Sequence, residues 1–106
     1  MASNLCKEYE MAVLMEMSVF SISGEISKRK EVVGILRELK ARGIGFELGA
    51  MGTSVECENM KKALEVLELA TSCIDAKRYY VIAKFDCYEG RSGMLESRVS
   101  SVLSEV

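Results

Sequence analysis

The stretch Ile44-Gly45-Phe46-Glu47-Leu48-Gly49-Ala50-Met51-Gly52-Thr53-Ser54-Val55-Glu56-Cys57 decides the fold. Ile44, Phe46 and Leu48 alternate with Gly45, Glu47 and Gly49, the period of a strand with one face on a core. Gly49-Ala50-Met51-Gly52 reads as a turn. Thr53, Val55 and Cys57 then alternate with Ser54 and Glu56. Two short alternating runs about a glycine-bounded turn predict a hairpin.

The chain on either side changes period. Upstream, Val32, Val33, Ile35, Leu36 and Leu39 recur at helical spacing, with Ser27 as N-cap and Gly43 as the left-handed residue after the last turn. Before that, Ala12 to Ser23 alternates, with Val13, Met15, Met17 and Val19 on one wholly apolar face. Downstream, Asn59 caps a second helix whose stripe is Met60, Ala63, Leu64, Leu67, Ala70 and Ile74. Arg78 to Cys87 is a fourth strand, with Tyr79, Val81, Ala83 and Phe85 on one face. Leu95, Val99, Val102, Leu103 and Val106 form the stripe of a C-terminal helix. The order is β-α-β-β-α-β plus a helix. This predicts an α+β, ferredoxin-like domain: an antiparallel sheet in the order 4-1-3-2 with two helices on one face. Residues 1–10 are polar and aperiodic and read as an extension; 11–106 form the single domain.

Composition excludes several chemistries. The 106 residues include no histidine, tryptophan or proline. Imidazole-based catalysis and imidazole metal ligation are therefore absent. A net charge of −2 supplies no general basic face for nucleic acid. The longest apolar run is too short for a membrane span. The four cysteines, Cys6, Cys57, Cys73 and Cys87, contain no C-x-x-C pair. The last three fall on apolar positions, which predicts reduced core thiols and a cytoplasmic protein.

Two helices cover one side of such a sheet, so the other side carries Glu16, Ser18, Phe20, Glu47, Ser54, Glu56, Tyr80, Ile82, Lys84 and Asp86. Carboxylates beside aromatic rings suit an organic cation, which ring faces attract by roughly 0.5–2 kcal/mol. The same pattern also fits an ordinary half-wet face with Glu16 and Lys84 as a cross-strand pair, or a divalent cation, although no D-x-D-x-D loop is present. The apolar members Leu14, Phe20, Ile22 and Ile82 predict association with a second copy.

The segment Gly43 to Glu56 resembles the pattern G-x-x-[YF]-E-L-x-x-M-G-T-x-[IV]-E of a small family of thiamine-binding proteins. That family was formerly a domain of unknown function and is related to the thiamine- and hydroxymethylpyrimidine-binding YkoF proteins. Glu16-Met17-Ser18-Val19, Ala76-Lys77-Arg78-Tyr79 and Arg98-Val99-Ser100-Ser101-Val102 are similar to further family segments. The resemblance implies the same fold, a homo-oligomer (dimer or tetramer) joined through its sheets, and a cytoplasmic, non-enzymatic binder of thiamine or its pyrimidine moiety. Thiamine enters as ligand, not as cofactor. On matching positions it carries over Glu16, Ser18, Met51, Gly52, Thr53, Glu56 and Asp86 as ligand residues. Phe20 and Glu47 join them from the open face. The chain departs from the family pattern at Phe20-Ser21, at Cys57 and at Cys87-Tyr88. An interaction or regulatory module with no small-molecule ligand is the alternative, and an enzyme using a carboxylate base is a third.

Overall fold

The computed structural model describes residues 12–22 and 27–106. The N-terminal extension and Cys6 lie outside the described residues. β1 (Ala12–Ser21) is followed by α1 (Lys28–Ala41), β2 (Glu47–Leu48) and β3 (Thr53–Cys57). Then come α2 (Met60–Ser72), β4 (Tyr79–Tyr88) and α3 (Met94–Leu103). The sheet order is β2-β3-β1-β4, with all three pairings antiparallel. This is the α+β ferredoxin-like arrangement, with the additional helix α3.

Local sequence explains most of the ends. Ser27 and Asn59 accept hydrogen bonds from Lys30 N and Lys62 N, satisfying first-turn donors of α1 and α2. α1 ends on Gly43, whose φ is 71°. Gly43 N donates to Lys40 O and Ile44 N to Leu39 O, so a left-handed glycine closes two carbonyls of the last turn and returns Ile44 toward the core.

The core follows the apolar face of β1. Val13, Met15, Met17 and Val19 are buried against Ile35 and Leu39 of α1, Val55 of β3, and Ala63, Val66 and Ala70 of α2. Leu36 packs at its rim, only partly buried.

Four expectations shift. The first strand of the hairpin is ordered as a ladder only at Glu47–Leu48, opposite Ser54 and Thr53, and residues 44–46 do not pair with the rest of β3. Helices α1 and α2 pack on β1, with α2 also on β3, and leave β4 largely uncovered. Tyr79 and Val81 are consequently exposed, and Cys87 with them, while Cys57 and Cys73 are half-buried. The C-terminal helix does not bury the predicted stripe. Val99, Val102 and Leu103 face solvent, and its buried residue is Met94, at 0% exposure. Finally, the second face of the sheet is not bare, since α3 lies against β3 and β1.

Candidate functional site

The open face is built in cross-strand rows. Glu56, Leu14 and Asp86 stand opposite one another across β3, β1 and β4. The next row is Glu47, Ser54, Glu16 and Lys84 across all four strands. Further along β1, Ser18 pairs with Ile82 and Phe20 with Tyr80. The rings of Phe20 and Tyr80 meet edge to face with centroids 5.9 Å apart.

α3 occupies the first row. Its N-cap position is Gly93, which has no side chain to cap the helix. Glu56 performs that task from β3: Oε2 accepts from Met94 N at 3.1 Å and Oε1 from Leu95 N at 2.9 Å. A carboxylate here also complements the positive end of the helix dipole. Asp86 pairs with Arg98, Oδ2 to Nη1 at 2.5 Å, one turn further along α3. Both acids are thus engaged in holding the helix on the sheet.

Cys57 stands beside this cap. Burial pushes its thiol pKa up, and the neighbouring Glu56 and Glu58 push the same way. A thiol held in its protonated form is a poor nucleophile.

The turn after β2 makes a different kind of place. Gly49 N donates to Gly52 O at 2.8 Å, closing the turn. Ser18 Oγ donates to Met51 O at 2.8 Å, fastening it to β1. A Cβ at position 52 would stand 3.2 Å from Met17 O, Ser18 Oγ and Glu16 Cγ. A β-carbon at that position would press on a backbone carbonyl already held in a ladder, so the close approach of turn to strand needs glycine. Between this turn, residues 17–20 of β1, and Lys28, Val32 and Ile35 of α1 lies a cavity of about 260 Å³ with mainly apolar walls.

Ser18, Phe20, Met51, Gly52 and Thr53 therefore come together in one cavity from distant parts of the chain. Glu16 adjoins it through Gly52 but opens onto a second, charged hollow of about 460 Å³, with Lys84, Asp86 and Arg98. Glu47 is exposed at the end of the same row as Glu16. The sequence reading missed the wall contributed by α1. Lys28 Nζ donates to Ser21 O and, at 3.1 Å, to Ser21 Oγ. Glu31, one turn before Ile35, accepts from Ser21 N at 3.0 Å. An acid on the apolar stripe of an otherwise amphipathic helix was the available signal.

A family profile described as "Thiamine-binding protein" matches residues 15–103. The chain belongs to the thiamine-binding protein family. Members are named for binding rather than for catalysis. Three solved structures share the fold. A hypothetical protein of Methanocaldococcus jannascii is 23% identical, with a TM-score of 0.74 over 90% of this chain and 98% of that one. A domain of unknown function from Bacillus cereus is 23% identical, at 0.66 over 82% and 85%. A candidate thiamine biosynthesis/salvage protein of Thermotoga maritima is 20% identical, at 0.61 over 86% and 98%. No curated protein matches the chain. Among the described residues of this family member, no helix is long and apolar enough to cross a membrane.

Proposed function

We propose that this member of the family is a non-enzymatic, cytoplasmic binder of thiamine or a related aminopyrimidine, which it holds in the cavity between the 49–52 turn, β1 and α1. The observation that carries the reading is the convergence there of Ser18, Met51, Gly52 and Thr53, the residues of the family motif, with Phe20. The cavity is largely apolar with a few placed polar groups, the usual character of a small-molecule site. A flat pyrimidine suits its interior. Glu16 and Glu47, in the adjoining row, supply negative charge for the cationic thiazolium ring outside it. Glu56 and Asp86 contribute indirectly, by fixing α3 over the neighbouring row.

Calorimetry with thiamine, its phosphates and hydroxymethylpyrimidine, each to millimolar concentration at low salt, tests the reading. At 100 times its dissociation constant, a ligand of the native state adds about 2.7 kcal/mol of stability. For a domain of this size that raises the melting temperature by on the order of 10 °C. Absence of both heat and thermal shift with every compound would rule the reading out.

The reading includes a homo-oligomer, dimer or tetramer, joined through the sheets. Support comes from β4, an edge strand of ten residues with Tyr80, Val81 and Ile82 exposed on both its faces. Long apolar edges of this kind invite pairing. Sedimentation at micromolar concentration is expected to show an oligomer, and Ile82→Lys is expected to shift it toward monomer by burying an unpaired charge. A wild-type protein that sediments as a monomer would contradict this part.

A further inference from the structure

β1 outruns its neighbour. Its ladder with β3 ends at the Met17–Thr53 pair, whereas its ladder with β4 continues to Ser21. Beyond Thr53 no described strand pairs with this edge of β1, and the cavity lies against it. Successive residues of a strand direct their N–H and C=O groups to alternate edges. Three contacts fix the parity here. Met17 O faces Gly52, on the β3 side. Ser21 N donates to Glu31 Oε1, and Ser21 O accepts from Lys28, both on α1. Ile22 N, of the opposite parity, donates to Arg78 O next to β4.

Val19 therefore presents its N–H and C=O to the same edge as Met17 and Ser21. Met17 is served there by β3 and Ser21 by α1. Val19, which lines the cavity, has no hydrogen-bond partner on that edge among the described residues. Val19 is 6% exposed, and buried backbone groups are nearly always paired, so a pair with no partner among the described residues at the wall of a cavity points to an occupant. A second open acceptor belongs to the side chain that holds Ser21 N. Glu31 is 7% exposed, and its Oε2 is buried without a partner among the described residues. It stands on the same side of α1 as the wall residues Lys28, Val32 and Ile35.

We infer that the edge of β1 at Val19 reads the ligand, by pairing with a planar heteroaromatic ring that carries an amino group next to a ring nitrogen. The ring nitrogen accepts from Val19 N–H, and the amino group donates to Val19 O. The ring thus takes the place of the missing strand, and no side chain need supply the specificity. This rests on the proposed function and names the edge of the aminopyrimidine that is recognised. A ring without the amino group would leave Val19 O unpaired in an apolar cavity, which is where an unmade hydrogen bond costs most.

Amide hydrogen exchange followed residue by residue by NMR tests this directly, with hydroxymethylpyrimidine and with the same ring lacking its amino group. Calorimetry on the same samples measures binding. At free ligand 100 times the dissociation constant, exchange at Val19 should slow by about 100-fold, the ratio of total to unliganded protein. The deaminated ring should bind roughly tenfold more weakly or worse. If hydroxymethylpyrimidine binds and Val19 exchange is unchanged, the edge reading is overturned and the family reading stands. Equal affinity for the two rings would overturn it too. If neither ring nor thiamine binds, the proposed function itself fails, and this inference with it.

Discussion

Leu39→Ala is expected to destabilise the domain by about 2–5 kcal/mol, the usual cost of a large-to-small change in a packed core. Leu39 is 0% exposed and sits in the cluster that joins α1 to the β1 face and α2. Its carbonyl also receives the bond from Ile44 N that ends α1. The backbone bond survives the substitution, whereas the packing does not. Domains of this size have about 5–15 kcal/mol in hand, so the variant should remain folded at room temperature with a much lower urea midpoint. Urea unfolding followed by circular dichroism measures the change. A loss below about 1 kcal/mol would mean that the site collapses onto the cavity, contrary to the close packing described. Leu36→Ala should cost less, since Leu36 is only partly buried at the rim.

The second large effect is expected from Glu56→Ala. Two first-turn amides of α3 lose their acceptor at once, and Gly93 offers no replacement. A hydrogen bond to a charged group is worth about 1.5–3 kcal/mol. A ten-residue helix has little stability of its own in water. α3 should therefore fray or detach while the β1–α1–α2 core stays folded. The readouts are loss of helical circular dichroism and faster amide exchange from Met94 to Arg98. Glu56→Gln keeps one carbonyl acceptor and should give a smaller change. An intact α3 in Glu56→Ala, together with lost thiamine binding, would instead make Glu56 a ligand carboxylate, as the motif alone suggests.

The contrast between these two residues shows how much the sequence could say. Leu39 was legible because a buried helical stripe is a local pattern: its period is fixed by helix geometry, whatever the partner. Ser27, Asn59 and Gly43 were legible for the same reason, since a cap satisfies backbone groups three or four residues away. The alternation in β1 and the turn at 49–52 likewise follow from the strand period and from glycine. These local signals determined the element order and with it the α+β class; the strand neighbours were read from the ferredoxin-like arrangement that this order matches.

Glu56 and Asp86 were legible as acids on the open face but not as the anchors of α3. Their partners lie 38 residues on and 12 residues on, and which helix end reaches which carboxylate depends on how the sheet is stacked. Exposure of Tyr79 and Val81 had no local signal either. Both have the right parity for a core, and only the reach of α1 and α2 leaves them uncovered. The cavity is the clearest case. It exists because β3 stops opposite Met17 while β1 runs on to Ser21, a difference in strand length that is a property of the pair. By itself the sequence determined the elements, their order and the residues that carry the family motif, because those depend on interactions within a few residues. The tertiary structure alone decided which acids are occupied, which faces are covered and where the open strand edge lies, because each depends on groups brought together from distant parts of the chain.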